Sequence, residues 1–477
     1  MKTLEEIFAE GRKPDDVIAD LLSCSKNAMP WSKLINLYDP SKHPIKVDTT
    51  LRPQDKVMED GQRDIPARIS YPAEQIAVRR MVQMAFSIPV KRSYGYDSKN
   101  PSEVAFVDAI EKVYESVRIN GVNMKRMKAY FASCEMATVW YLTDDGGEKH
   151  EKYGFPTSAK IRCRSFSPMP QKMSEIYQAD IFPLFDDTGN LIALSFRYCV
   201  DVAGKSVDKF DCLTAQTAYY WTKEEEGWQL TEKLNVIGKI NGVYISKPNP
   251  IYDGIEDFRN EIEFANSRNS DVVKKNSSPI IVVAGALKGA PPANGRGREA
   301  YQVENGGSVN LLNPALSSTE VKAHINTQKE FISEVTQMPN LSMENIKSLG
   351  AISGEARKTL LTDSHLKVGE ESHDLIWFFD REFSVIKSIV AAMNTAWLPF
   401  VNKISCKHTI TPFIQNDQDA QTNRLSKQVD SRLLSRRTAI SQLDGVENVD
   451  EEMNLINEEY MADIEAQRAV SVFEGGM

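Results

Sequence analysis

The run 253–396 constrains this chain more than any other stretch. It reads helix, strand, glycine-rich basic loop, hairpin, helix, break and then one very long helix. Two helices of about 20 residues joined by a small β element carry that element away from the main body on a stalk, which a compact enzyme seldom needs. The first helix, 253–275, has Ile255, Phe258, Ile262 and Ala265 on one stripe, with Asp253 placed to cap its start. A strand over Pro279–Leu287 follows. The loop 288–299, Lys-Gly-Ala-Pro-Pro-Ala-Asn-Gly-Arg-Gly-Arg-Glu, reads as a flexible arm. Gln302–Glu304 and Ser308–Leu312 flank Asn305-Gly-Gly as a hairpin. The second helix, Thr319–Gln337, has Val321, Ile325, Ile332 and Val335 on one face. Pro339–Gly350 breaks it, and Ser353 opens a helix to about Ala396, roughly 65 Å long at about 1.5 Å per residue.

The flanking regions are less regular. Residues 1 to about 65 mix short helical signals, around Leu4, Ile7 and Phe8 and over Asp15–Leu22, with polar stretches. Lys42-His-Pro-Ile-Lys reads as loop, and Arg52–Asp64 as a boundary. Helices are expected over Tyr71–Phe86, Phe106–Val117 and Met124–Met136. Strands then take over. Ala137–Thr143 runs into Asp144-Asp-Gly-Gly, a hairpin turn. Ala179–Phe185 and Leu191–Val200 flank Asp186-Asp-Thr-Gly-Asn, and Phe210–Trp221 and Trp228–Leu234 flank Lys223-Glu-Glu-Glu-Gly. This is an α+β body with antiparallel strands. Lys403–Pro412 reads as a strand, and the last 60 or so residues as helical and acidic, with a dense Glu/Asp face over Val449–Glu465.

Charge and composition narrow the function. The 477 residues carry a net charge of −9, which argues against coating nucleic acid by bulk charge and leaves room for surrounding DNA without gripping it. No apolar run approaches the roughly 20 residues that span a bilayer. Met1-Lys-Thr-Leu-Glu-Glu has acids where a signal peptide needs bases, so a cytosol-like compartment is expected. Cys24, Cys134, Cys163, Cys199, Cys212 and Cys406 form no C-x-x-C pair and read as free, mostly buried thiols.

The search for catalytic chemistry finds little. There is no P-loop, and Gly295-Arg-Gly297 lacks the third glycine and the strand-to-helix context of a phosphate cradle. Ser364-His365 and Ser372-His373-Asp374 place triad residue types side by side, but neighbours on a helix point about 100° apart. His43, His150, His324 and His408 are scattered, and the acidic C-terminal run lacks EF-hand spacing. No catalytic residue, metal or cofactor is expected.

Several stretches together carry a resemblance. Gly242-Val-Tyr-Ile-Ser-Lys-Pro-Asn-Pro precedes the Ile255–Val273 helix with its Phe258, Ile262 and Asn266. Ile281-Val-Val-Ala-Gly leads to Glu304-Asn-Gly-Gly-Ser-Val-Asn-Leu-Leu. Pro339, Leu341 and Ser342 are followed by Gly350–Ala356, opening the long helix. Near the end stand Arg432-Leu-Leu-Ser-Arg-Arg-Thr-Ala-Ile, Leu443-Asp-Gly-Val and Asp450-Glu-Glu. In order and spacing, residues about 65–465 resemble the portal proteins of tailed bacteriophages.

The resemblance implies an α+β, portal-type fold. After an N-terminal extension at the wing periphery (1–65) come the wing (66–252), stem helix 1 (253–276), the small α/β clip (277–317), stem helix 2 (318–337) and the tunnel loop (338–352). The long helix and a return strand to the wing (353–413) and a helical crown (414–477) complete it. It implies a ring of about twelve copies at one capsid vertex of the virion, assembled in the host cytoplasm, through which double-stranded DNA is packaged and ejected. The implied partners are the terminase large subunit, a head–tail adaptor, and the major capsid and scaffolding proteins, with no membrane. The constriction would include Met338, Pro339, Asn340, Glu344, Lys347 and Gly350. The stem would turn Lys322 and Lys329 to the channel, and Lys288, Arg296 and Arg298 of the clip would meet partners. The alternative is another phage structural protein, a minor capsid or head–tail adaptor component, without a channel role.

Overall fold

The computed structural model describes residues 3–24, 29–52, 55–57, 63–202, 204–276, 280–286, 303, 306–312, 318–339, 361–413, 418–443, 449 and 452–462. Two compact units divide the chain: Met1–Ser342 with Asp363–Phe413, and Met343–Thr362 with Ile414–Met477.

The first unit opens with four short helices, α1 (Leu4–Ile7), α2 (Pro14–Cys24), α3 (Trp31–Tyr38) and α4 (Pro44–Val47), and a small ladder of β1 (Lys56–Val57) and β2 (Arg63–Asp64). Lys42-His-Pro-Ile-Lys is therefore not a plain loop. Pro44 occupies the first turn of α4, where its missing N–H costs nothing, and His43 in front of it is fully buried. Then follow α5 (Ala73–Phe86), β3 (Lys91–Gly95), α6 (Pro101–Ser116) and α7 (Ile119–Ser133).

Two antiparallel-rich sheets form the centre. β4 (Glu135–Asp144), β5 (Ala159–Ser167) and, after the short α8 (Gln171–Ser174), β6 (Tyr177–Gln178) belong to a sheet ordered β12-β4-β5-β6, with β12 at Gly242–Ser246. β7 (Asp180–Phe185), β8 (Leu191–Val202), β9 (Lys205–Thr214), β10 (Thr217–Glu224) and β11 (Gly227–Leu234) form the second sheet, ordered β11-β10-β9-β8-β7. Period-two alternation sends the side chains of this second sheet both ways. Leu194, Phe196 and Leu213 pack on Ala137, Val139, Phe166 and Tyr244 of the first sheet. Ala193, Phe210, Cys212 and Trp221 face Ile7, Val17, Ile18 and Leu21 of α1 and α2. The N-terminal helices thus cover a sheet face that would otherwise expose a Trp and a Phe.

Several expectations are corrected. Phe210–Trp221 is two strands, not one. Thr217 N–H donates to Thr214 Oγ1 (3.0 Å) and that hydroxyl donates to the Thr217 carbonyl (2.7 Å), closing a turn that has no Gly, Pro, Asn or Asp to announce it. Asp144-Asp-Gly-Gly is not a tight turn, because Asp144 pairs with Ala159. The intervening loop folds inward on Tyr153, which is 1% exposed and whose hydroxyl accepts the Ile161 N–H at 2.9 Å. Met136 lies in β4 rather than in a helix.

The chain continues through α9 (Glu256–Asn276), β13 (Ile280–Ala284), β14 (Ser308–Leu312) and α10 (Ser318–Thr336) to α11 (Thr362–Met393). α11 has 32 residues, about 48 Å, and ends at Met393, where Asn394 caps a 3-10 helix over Thr395–Phe400. The expected opening at Ser353 lies outside the described residues. β15 (Ser405–Thr409) pairs with β3. The second unit holds α12 (Gln418–Asp430), α13 (Arg436–Ile440) and a helix over 452–462. No helix among the described residues is long and apolar enough to cross a membrane.

Candidate channel and docking elements

α9 and α10 pack against each other, with the Phe258 and Phe331 rings 5.3 Å apart and His324 Nε2 3.7 Å from Glu261 Oε2. The sequence placed Asp253 as the cap of α9. It instead sits in the preceding turn, before Gly254 in the left-handed region, and α9 starts at Glu256. Between the helices, β13 and β14 pair antiparallel from Ile280↔Leu312 to Ala284↔Ser308. Of the expected partner of Ser308–Leu312, Gln302 and Glu304 lie outside the described residues. Gly285 follows β13 at φ 116°, and a Cβ there would stand 3.0 Å from Gly307 Cα, so this position needs glycine.

The base of α9 is tied to the body by the extended segment 65–72. Ala67 N–H donates to Asp271 Oδ1 (2.8 Å), Ile69 N–H to Ser267 Oγ (2.9 Å) and Tyr71 N–H to Glu263 Oε1 (2.7 Å). Alternate residues of an extended chain repeat about every 6.7 Å, and every fourth helical residue about every 6 Å. The two periods match closely enough for three rungs. Arg52 pairs with the same Asp271. Sequence reading missed this strap, although Glu263, Ser267 and Asp271 at four-residue spacing are its signal.

Beneath the strap lies a buried charge cluster. His43 places Nδ1 2.6 Å from Glu263 Oε1 and Nε2 2.8 Å from the Leu37 carbonyl. Arg259 Nε is 3.4 Å from Glu74 Oε1. All four side chains are essentially without solvent contact. Burial pushes the Glu74 carboxyl up to about 7 despite the opposing pull of Arg259.

The sequence-predicted residues fall as follows. Met338 is 2% exposed, Pro339 half-buried, and Ser364 Oγ donates to the Gln337 carbonyl (2.9 Å), so the end of α10 meets the first turn of α11. Lys322 is exposed; Lys329 is half-buried with its ammonium 5.8 Å from the Tyr71 ring, turned toward the strap. Glu320, Glu330 and Glu334 are the exposed charges on another side of α10. Asn340, Glu344, Lys347, Gly350, Lys288, Arg296 and Arg298 lie outside the described residues.

Ser372, His373 and Asp374 form no triad; Ser372 Oγ donates to the Gly369 carbonyl and the other two side chains are exposed. A different trio comes together: Cys406 Sγ lies 3.7 Å from His408 Nε2, and His408 Nδ1 2.7 Å from Asp380 Oδ1. Residues two apart on β15 share a face, which α11 meets with Asp380. Burial pushes the Cys406 thiol up to about 12, so it lacks the thiolate that a nucleophile needs. No group of three His, Cys, Asp or Glu among the described residues is arranged to hold a metal ion.

Comparison with known proteins follows from this architecture. The chain is similar to solved structures titled the neck of an empty gene transfer agent particle computed with C6 symmetry (TM-score 0.39, 9% identity, covering 92% of this chain and 97% of that one) and the neck of a native particle computed with C12 symmetry (TM-score 0.40, 10% identity, 90% and 98%). A chain of the native gene transfer agent virion is similar at the same level (TM-score 0.39, 9% identity, 92% and 97%). No curated protein sequence matches it. The sequence profile of the family described as phage portal protein, SPP1 Gp6-like, matches residues 32–466, so the match begins well before residue 65 and takes in α3, α4 and the strap. A match over that span places the chain in this phage portal protein family, with a portal's role at the capsid vertex.

Proposed function

We propose that copies of this chain close into a ring of about twelve, whose axial channel passes double-stranded DNA during packaging and ejection. The observation that carries this reading is the α9–α10 pair, tipped by the β13–β14 hairpin and strapped at its base to the two-sheet body. In this reading α9 and α10 are the stem, the hairpin region is the clip, residues 338–352 are the tunnel loop, and 414–477 form the crown. The clip, with Lys288, Arg296 and Arg298, docks the terminase large subunit first and a head–tail adaptor later. The wing meets capsid and scaffolding proteins.

The chemistry is passive. A net charge of −9 suits DNA that slides, because a strongly basic lining would hold phosphates and stall it. The exposed Glu320, Glu330 and Glu334 of α10 fit a lining of low grip better than Lys329, which the strap engages. ATP hydrolysis belongs to the terminase. A closed ring needs two different faces of each copy to complement each other.

Electron imaging of the purified full chain, with mass photometry, tests this. Rings with a hole of at least about 20 Å, wide enough for a duplex, support it. A compact dimer without a channel overturns it. ATPase and nuclease assays on the chain alone are expected to show no turnover; turnover abolished by one carboxylate substitution overturns the passive mechanism.

A further inference from the structure

A groove of about 610 Å³ lies between α5, α7 and α8. Met124, 39% exposed, and the half-buried Met173 contribute an apolar floor. Its rim carries Arg79, Lys125, Lys128 and Lys172 against one acid, Glu175. That carboxylate is already shared, 3.7 Å from Lys125 and 3.3 Å from Lys128. Arg79 and Lys172 have no ion-pair partner among the described residues. Four cations around one apolar shelf repel each other, and an acidic occupant with an apolar stripe relieves the repulsion while covering the floor.

The chain itself carries a segment of that chemistry. In the helix over 452–462, Met453, Ile456 and Tyr460 recur at spacings of three and four and form one stripe. Glu452 and Glu459 flank the stripe, and no Lys or Arg occurs from 444 to 467. Tyr460 is 62% exposed and Met453 and Ile456 are half-buried, so the stripe meets water chiefly at Tyr460.

We infer that the groove docks the acidic 452–462 helix of a second copy of this chain. The inference rests on the ring reading and supplies one of the complementary pairs of faces that a ring requires. Charge selects the occupant, and the floor of Met124 and Met173 receives the Met453–Tyr460 stripe.

Disulfide trapping between full-length copies tests it. One copy carries Gln83→Cys at the groove rim and a differently tagged copy carries Asn457→Cys; both sites are exposed, so folding is not at stake. The expected result is a mixed-copy disulfide absent from either variant alone. Arg79→Glu with Lys172→Glu lowers its yield about tenfold at low salt. Glu452→Lys with Glu459→Lys in the partner copy restores it. A disulfide that ignores these reversals, or one formed only within a chain carrying both cysteines, overturns the inference. Rings on the grid without the mixed disulfide sink the docking and leave the ring. The mixed disulfide in particles that are not rings keeps the docking and sinks the ring.

Discussion

His43 Nδ1 lies 2.6 Å from Glu263 Oε1, joining two fully buried residues 220 positions apart. The same oxygen accepts the Tyr71 N–H at 2.7 Å, so one carboxylate holds the N-terminal layer, the strap and α9 together. Glu263→Ala leaves a buried ring nitrogen and a backbone N–H without an acceptor. Its expected cost is about 3–5 kcal/mol in urea unfolding. Glu263→Gln keeps an acceptor oxygen and is expected to cost about 1–2 kcal/mol. Equal losses in the two variants would contradict the role given to that oxygen.

Glu74 makes the stability of this region depend on pH. Its carboxyl is raised from 4.5 to about 7, so the folded chain holds this proton more tightly than the unfolded one. The stabilising contribution is full below about pH 4.5 and is lost as pH rises through about 7. Glu74→Gln, neutral throughout, is expected to be more stable than the parent at pH 8, by at most about 3 kcal/mol. The gap narrows toward pH 5. Melting curves of both proteins across that range check the sign, and a constant gap would refute it.

Arg126 of α7 meets Glu382 of α11 at 2.5 and 2.7 Å, with Trp140 Nε1 donating to the same carboxylate at 2.9 Å. Both charges are buried. Glu382→Ala strands the guanidinium and is expected to cost about 3–5 kcal/mol. Arg126→Met combined with Glu382→Leu is expected to cost less than Glu382→Ala alone, because no charge remains unpaired. A double-mutant cycle reads the coupling.

Gly242 begins β12, where a Cβ would stand 2.7 Å from Leu194 Cδ2 in the core between the sheets. Gly242→Ala is expected to destabilise the body by about 1–3 kcal/mol through overpacking. Adding Leu194→Val in the same chain is expected to recover part of the loss, read as a rise in the melting temperature. Additive losses would mean that the clash lies elsewhere.

Much of the secondary structure was legible because helix and strand periods are local. The stripe Ile255, Phe258, Ile262 announced α9, and the Asp186-Asp-Thr-Gly-Asn turn announced the β7–β8 hairpin, with Asp186 Oδ1 accepting from both Thr188 N and Asn190 N. The portal family was legible too, since its motifs keep their order along the chain. The turn at Thr214–Thr217 was not, because hydroxyls rather than glycine or proline close it.

Local pattern alone therefore determined that two helices frame a small β element and that a very long helix follows. Which strands pair across distance, as β3 does with β15 and β13 with β14, was decided only by the tertiary fold. So was the burial of His43, Glu74, Arg259 and Glu263 in one cluster. Ionisable side chains carry no periodic signal of burial, and they tolerate a dry site only when partners from distant segments arrive beside them.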